Sequence, residues 1–200
     1  PYYQARLRDV YYNYPEREPL YLKATLVYAI SLAVRTASEP NPSYTILYAC
    51  KHDSPELWPF PTREAKRLEV YNALAAGSRG ISYWWFTKPN GLGVLDTDAQ
   101  NLWNEMGLLG NETKAIGDQI VNSHPASMPL TFSSGLWGKA MASGTDTMLL
   151  YVLNDNYYND EGGCHYSNIN NGTVTASLPS WMTSSPTVFE ITPDGIATVA

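Results

Sequence analysis

The chain has 200 residues, 44% of them apolar, enough for one ordinary domain or two small ones with a packed core, which excludes a disordered segment. A net charge of -6 and a pI near 5.0 lack the basic footprint of a phosphate-backbone binder, so no nucleic-acid partner is expected. Fifteen Tyr and six Trp against only 16% charged residues make a chain rich in rings and hydroxyls, suited to sugar faces, although most large rings are expected in the core.

In chain order, LRDVYYNYP is β-branched and aromatic and stops at Pro15, which predicts a strand over 7–12. A helix over 18–37 follows, with Leu22, Leu26, Val27, Ile30 and Val34 at 3 to 4 residue spacing. Pro40 and Pro42 end it. Its apolar run, Leu20 to Val34, contains Lys23 and is too short for a bilayer core of about 30 Å, so no membrane span is expected.

YTILYAC predicts a second strand over 44–50, and a second helix is predicted over 62–76. Thr62 after Pro61 is its N-cap, Glu64 lies in its first turn and Gly77 supplies a left-handed C-cap. Leu68, Tyr71, Leu74 and Ala75 form its inward stripe, and Lys66, Arg67 and Glu69 face water. GISYWWF predicts a third strand over 80–86, with Ser82, Trp84 and Phe86 on one face and Ile81, Tyr83 and Trp85 on the other. A long helix over 98–121, capped by Thr97 or Asp98, carries Ala99, Leu102, Trp103, Met106, Leu109, Thr113, Ile116 and Ile120 at helical spacing. The order is three β/α units.

From Ser123 the composition changes. His124-Pro125 breaks the helix, and residues 136–142 and 147–153 flank Ser143-Gly-Thr-Asp146 as a hairpin. Further strands are predicted over 173–178 and 187–191, with a turn at Pro193-Asp194-Gly195 before a last short strand. The tail reads as a small β-sandwich over 123–200, beside the α/β part over 1–122.

Cys50 and Cys164 fall in different parts of the chain without metal-ligand spacing, and read as two free thiols, with a single bridge as the alternative. The three His are too scattered for a metal site, and no cofactor is expected. Asn111-Glu-Thr and Asn171-Gly-Thr match the N-glycosylation acceptor pattern, Asn111 being the weaker because it falls inside a predicted helix. Pro42 excludes Asn41. The chain opens on Pro1 without a signal peptide and reads as processed, truncated or excerpted.

The run Pro61-Thr-Arg-Glu64 through Ala73-Leu-Ala-Ala-Gly77-Ser-Arg-Gly80-Ile-Ser-Tyr-Trp84, then Leu102-Trp103 and Glu112 to Ile116, resembles the last β/α units of TIM-barrel glycoside hydrolases. The likeness is to the β-galactosidase-like enzymes and their uncharacterised relatives, in which a C-terminal β-domain follows the barrel. It implies a partial (β/α)8 barrel, strands six to eight with their helices, followed by the β-sandwich. Three parallel strands cannot close a barrel that takes eight, so the missing N-terminal barrel units are expected before Pro1 or in another chain.

The resemblance implies a secreted protein that hydrolyses or binds oligosaccharide or polysaccharide at the barrel mouth. Hydrolysis generally takes two carboxyl groups, about 5 to 5.5 Å apart for retention and about 6.5 to 9.5 Å for inversion. In the resembled enzymes one follows the fourth strand and the other ends the seventh. Here the seventh ends in Cys50-Lys51-His52-Asp53, with Glu56 further on and no glutamate at the terminal position. Asp53 and Glu56, with His52 as a hydrogen-bond donor or general acid, are the catalytic candidates, each read first as an ordinary loop residue.

The rings are the stronger candidates for substrate contact. Matching the family's final strand places Trp84 and Phe86 toward the barrel interior and Trp85 against the helices, unless a bulge or non-proline cis bond turns Trp85 inward. Tyr12, Tyr14 and Trp58 would add side walls. The alternative to an enzyme is a non-catalytic carbohydrate-binding or structural extracellular protein that keeps the barrel frame. A third reading is a free-standing α/β domain binding a small ligand at the strand ends.

Overall fold

The structure, a computed structural model, describes residues 24–51, 59–160, 163–182 and 186–199. The expected strand over 7–12 and the first residues of the helix expected over 18–37 lie outside them. The described helix, α1, is Thr25–Ser38, and the Glu39-Pro40 bond that follows it is cis. Its inward side is Ala24, Val27 and Ser31, whereas Ile30 and Val34 of the expected stripe are exposed.

Two parallel strands follow, β1 at Tyr44–Tyr48 and β2 at Gly80–Trp84, paired with Thr45 opposite Ile81 and Leu47 opposite Tyr83. The connection contains α2, Arg63–Ala75, as a parallel pair requires. Alternation sorts the faces: Thr45 and Leu47 are buried and Ile81 and Tyr83 pack on the core, whereas Tyr44, Ile46, Ser82 and Trp84 are exposed. Gly80 lies opposite Tyr44, where a Cβ would sit 2.1 Å from Tyr44 Cδ1. A side chain there would displace the ring.

The start and stop signals of α2 act as their chemistry dictates. The Thr62 hydroxyl accepts from Ala65 N at 3.2 Å, and Gly77, at φ 92, takes the left-handed conformation beyond the helix end. Its inward face includes Leu74 and Ala75 as expected but extends to residues expected in water. Lys66 and Glu69 are fully buried, together with Ala65, Val70, Asn72 and Ala73, while Leu68 and Tyr71 are half-buried. Lys66 Nζ donates to the carbonyl of Tyr48, the last residue of β1, and pairs with Glu69 Oε2. A buried charge requires such partners.

The helix expected over 98–121 is two. α3 spans Thr97–Ala115, and α4 spans Gly117–Val121 after Ile116 leaves the helical region at φ -122. Ala99, Leu102, Leu109, Ile116 and Ile120 are buried as expected, and Trp103 is exposed. Two buried carboxylates of α3, Glu105 and Glu112, bond across to α2: Arg67 reaches both, Arg63 Nε reaches Glu105 at 3.2 Å, and the Tyr71 hydroxyl donates to Glu112. With this bond, burial pushes the Tyr71 phenol well above its ordinary range.

The tail is antiparallel. Its strands are β3 at Ser123–Pro125, β4 at Leu130–Phe132, β5 at Leu136–Ser143, β6 at Thr147–Asn154, β7 at Tyr157–Asp160, β8 at Gly163–Tyr166, β9 at Val174–Ala176, β10 at Phe189–Thr192 and β11 at Gly195–Thr198. The β5–β6 hairpin forms as read, with Gly144 at φ 67 in its turn, and β10–β11 turns around Gly195 at φ 124. Met141, Leu149 and Tyr151 belong to the same buried cluster as Val27, Leu47 and Val70, so the tail and the α/β part share a core. Tyr157 Oη accepts from Ala24 N at 2.6 Å, joining β7 to the start of α1.

A partial (β/α)8 barrel followed by a β-sandwich is therefore not the architecture. Among the described residues the fold is mixed α/β with four helices, β1 and β2 pair only with each other, and no sheet closes. The antiparallel strands fall into four small sheets, β3-β5-β6, β4-β9, β7-β8 and β10-β11. Only β5 and β6 reach eight residues. The three- and four-residue strands have too few ladder bonds to extend into two stacked layers, and each pairs with one neighbour.

Candidate functional site

The carboxyl ends of β1 and β2 bring together aromatic rings, a tight glycine loop and one ion pair. Four successive carbonyls of the aromatic segment accept backbone hydrogen bonds. Trp84 O accepts from Ala49 N, Trp85 O from Leu92 N at 3.2 Å, Phe86 O from Gly93 N at 2.7 Å and Thr87 O from Gly91 N at 2.8 Å. The Trp85 indole donates to the Thr87 carbonyl at 2.6 Å. The Trp84-Trp85 and Lys88-Pro89 bonds are cis.

Glycine is dictated at two points of the loop. A Cβ on Gly91 would lie 2.5 Å from Phe86 C, and one on Gly93 would lie 2.6 Å from Phe86 O. The loop is fastened to β1 as well, since Cys50 bridges Gly91 and Lys51 N donates to Asn90 O at 2.8 Å. Backbone held in this way fixes where the attached rings stand.

The rings themselves remain open to solvent. Trp84 is 46% exposed, Phe86 60% and Trp103, from α3, 56%. They form two edge-to-face pairs, Trp84 with Trp85 at 5.7 Å between centroids and Phe86 with Trp103 at 6.1 Å. Tyr44 and Ile46, on the same open face of the strand pair as Trp84, are exposed as well, so Trp84 belongs to a wider apolar surface. Trp84 thus lies on the open face of the strand pair rather than inside a closed barrel. Trp85 is half-buried.

At the edge of this surface Lys51 Nζ pairs with Asp96 Oδ2 at 2.8 Å and stands 5.6 Å from the centroid of the Phe60 ring. Asp96 is also the N-cap of α3, accepting from Ala99 N at 2.9 Å; the sequence had suggested Thr97 or Asp98. The Lys51 bond and then the Ala99 amide hold the Asp96 carboxyl below its ordinary range. This contribution to stability is complete above the unfolded-state pKa of an aspartate and disappears as pH falls through the lower folded-state value. Asp96→Ala should cost about 1 kcal/mol at neutral pH, as cap losses do, and should flatten the acid limb of the stability curve, measured by urea unfolding across pH.

Beneath the surface, Cys50 is buried and free, its thiol pushed up by burial. The Tyr83 phenol, on the inward face, is pushed up to about 12, chiefly by burial. Cys164 is half-buried and free, its thiol raised to about 11 by burial. Among the described residues no group of three or more His, Cys, Asp or Glu could hold a metal ion, and no helix is long and apolar enough to cross a membrane.

Of the residues singled out from sequence, Trp84 and Phe86 stand at this site. His52, Asp53, Glu56, Trp58, Tyr12 and Tyr14 lie outside the described residues. Asn111 is an exposed residue of α3 and Asn171 an exposed turn residue. Sequence reasoning missed Trp103 as a surface ring, because helical spacing assigned it to the core. It also missed the Lys51–Asp96 pair. The signal for the loop is Gly91-Leu-Gly93, separated from the aromatic segment by Thr87-Lys-Pro-Asn90.

The fold and site define an α/β protein with a parallel strand pair that ends in a fixed, exposed aromatic surface. No family model matches the chain, and no curated protein or solved structure is matched by it.

Proposed function

We propose that this chain binds neutral oligosaccharide at the carboxyl end of β2, with Trp84 and Phe86 as stacking rings. The observation that carries the reading is the set of four hydrogen-bonded carbonyls beneath exposed rings, since preorganised aromatic faces bind without a large ordering cost. The acidic balance of the chain and its low fraction of charged residues suit an uncharged ligand. The extracellular setting expected from the sequence is part of the same proposal.

Binding is favoured over hydrolysis by the state of the nearby carboxylate, because Asp96 is committed to Lys51 and to the α3 cap. Hydrolysis is the second reading, and it would rest on Asp53 and Glu56. The test is calorimetric titration with a panel of neutral oligosaccharides, alongside reducing-end assays for cleavage. Trp84→Ala and Phe86→Ala should each weaken binding about 2- to 10-fold, corresponding to about 0.5–1.5 kcal/mol per stacked ring. Saturable binding untouched by either substitution would overturn the site, and release of reducing ends would favour the hydrolase.

A further inference from the structure

The two Asn-x-Thr tripeptides have the same sequence grammar but different surroundings. Asn111 lies within α3, and its tripeptide is already engaged on every side except its own amide. Glu112, the middle residue, is buried and bonded to Arg67 and Tyr71. The Thr113 hydroxyl donates to Leu109 O at 2.8 Å and Gly110 O at 3.2 Å. These partners all precede Asn111 in the chain, so the arrangement becomes available as soon as this part of the chain is made.

Asn171 stands in the turn between β8 and β9. It is exposed, as are Gly172 and Thr173, and it takes the left-handed conformation at φ 58, which Asn adopts more readily than most residues. The connection is fastened on both sides of the acceptor: Ser167 N donates to Asn156 O at 3.0 Å before it, and beyond it Thr173 N donates to Ser133 Oγ at 3.0 Å and Thr173 O accepts from Ser133 N at 2.9 Å. Gly172 lies close to β5, where a Cβ would sit 2.8 Å from Leu136 Cδ1 and the leucine side chain would have to shift. The small middle residue thus lets the turn lie against β5 while the asparagine stays in solvent.

We infer that Asn171 is the N-glycan acceptor of this chain and that Asn111 is not. The co-reactant is an oligosaccharide carried on a lipid diphosphate, together with its transferase. In the transfer, Asn171 Nδ2 forms a bond to the anomeric carbon of the sugar as the carbon–oxygen bond to the diphosphate breaks. The lipid diphosphate leaves with the bonding electron pair, and one amide proton passes to a base. A glycan at this position is bulky and solubilising, and accords with a turn at the surface. It would stand beside the broad apolar groove that Gly172, Leu150, Val152 and Leu178 help to line.

The experiment is translation of the chain behind a cleavable secretory leader in the presence of microsomes, which supply donor and transferase whatever the chain's native address. One glycosidase-sensitive mobility shift is expected, lost in Asn171→Gln and Thr173→Ala and kept in Asn111→Gln and Thr173→Ser. Enzymatic deglycosylation in heavy-oxygen water should leave the isotope tag on residue 171. No shift, a shift lost in Asn111→Gln, or two shifts each removed by one substitution would overturn the inference. None of these outcomes bears on sugar binding by Trp84 and Phe86.

Discussion

Replacing Lys66 with alanine should lower the unfolding free energy by about 3–5 kcal/mol, as expected when one partner of a buried ion pair is removed. The side chain is fully buried and supplies a bond to the Tyr48 carbonyl and a pair to Glu69, whose second oxygen has no hydrogen-bond partner among the described residues. Without Lys66, the Glu69 carboxylate would lose its paired cation in a low-dielectric interior. Burial already raises the Glu69 carboxyl and lowers the Lys66 ammonium, so the pair holds two groups that the core would otherwise neutralise. A total stability of about 5–15 kcal/mol makes this loss severe. Lys66→Met with Glu69→Met should recover most of it, because two apolar side chains leave no orphaned charge. Urea midpoints of the single and double variants measure this directly, and a double variant as unstable as Lys66→Ala would show that the pair is not the cause.

The second large effect is expected at Arg67. Its guanidinium joins buried Glu105 and Glu112 across the α2–α3 interface, with 2.8 Å contacts to each. Arg67→Ala would leave both carboxylates without their shared cation, although Arg63 still reaches Glu105 and Tyr71 still donates to Glu112. Because the Arg67 side chain is 38% exposed, water screens part of the interaction, and about 2–3 kcal/mol is expected rather than the full cost of a buried pair. Arg67→Lys should recover only part of this, since an ammonium cannot span two carboxylates as a planar fork does. Equal stability of Arg67→Ala and the parent in denaturant unfolding would contradict the network's role.

The parts of this fold legible in the sequence are those fixed by local chemistry. Thr62 and Gly77 marked the ends of α2 because a hydroxyl cap and a left-handed glycine are local requirements. The β5–β6 hairpin followed from alternation and its turn residues. The inward face of α2 was legible at Leu74 and Ala75 and illegible elsewhere for a physical reason: Ala65, Lys66, Glu69 and Ala73 are small or charged, and charges on a helix usually face water. The pairing that permits their burial involves the end of β1 and is set by tertiary structure.

The barrel expectation failed for a similar reason. A β-loop-α-β-α order can be read locally, and the parallel β1–β2 pair confirms that much. How many strands join a sheet, and whether it closes, depends on pairings that no single segment encodes. Alternation puts Trp84 and Phe86 on one face, and both are exposed rather than turned into a barrel interior. The hydrogen bonds that hold their backbone required the Gly91–Gly93 loop to fold back on residues 84–87, which the sequence indicates only as a turn-rich stretch.

Sugar binding by the exposed rings at the end of β2 is the proposal on which the functional reading rests. It is tested most directly by a crystal structure of the chain soaked with the tightest-binding neutral oligosaccharide. A sugar ring stacked on Trp84 or Phe86 is expected, with residues 84–87 keeping their backbone hydrogen bonds to Ala49, Gly91, Leu92 and Gly93. An oligosaccharide bound elsewhere while both rings stay bare would contradict it.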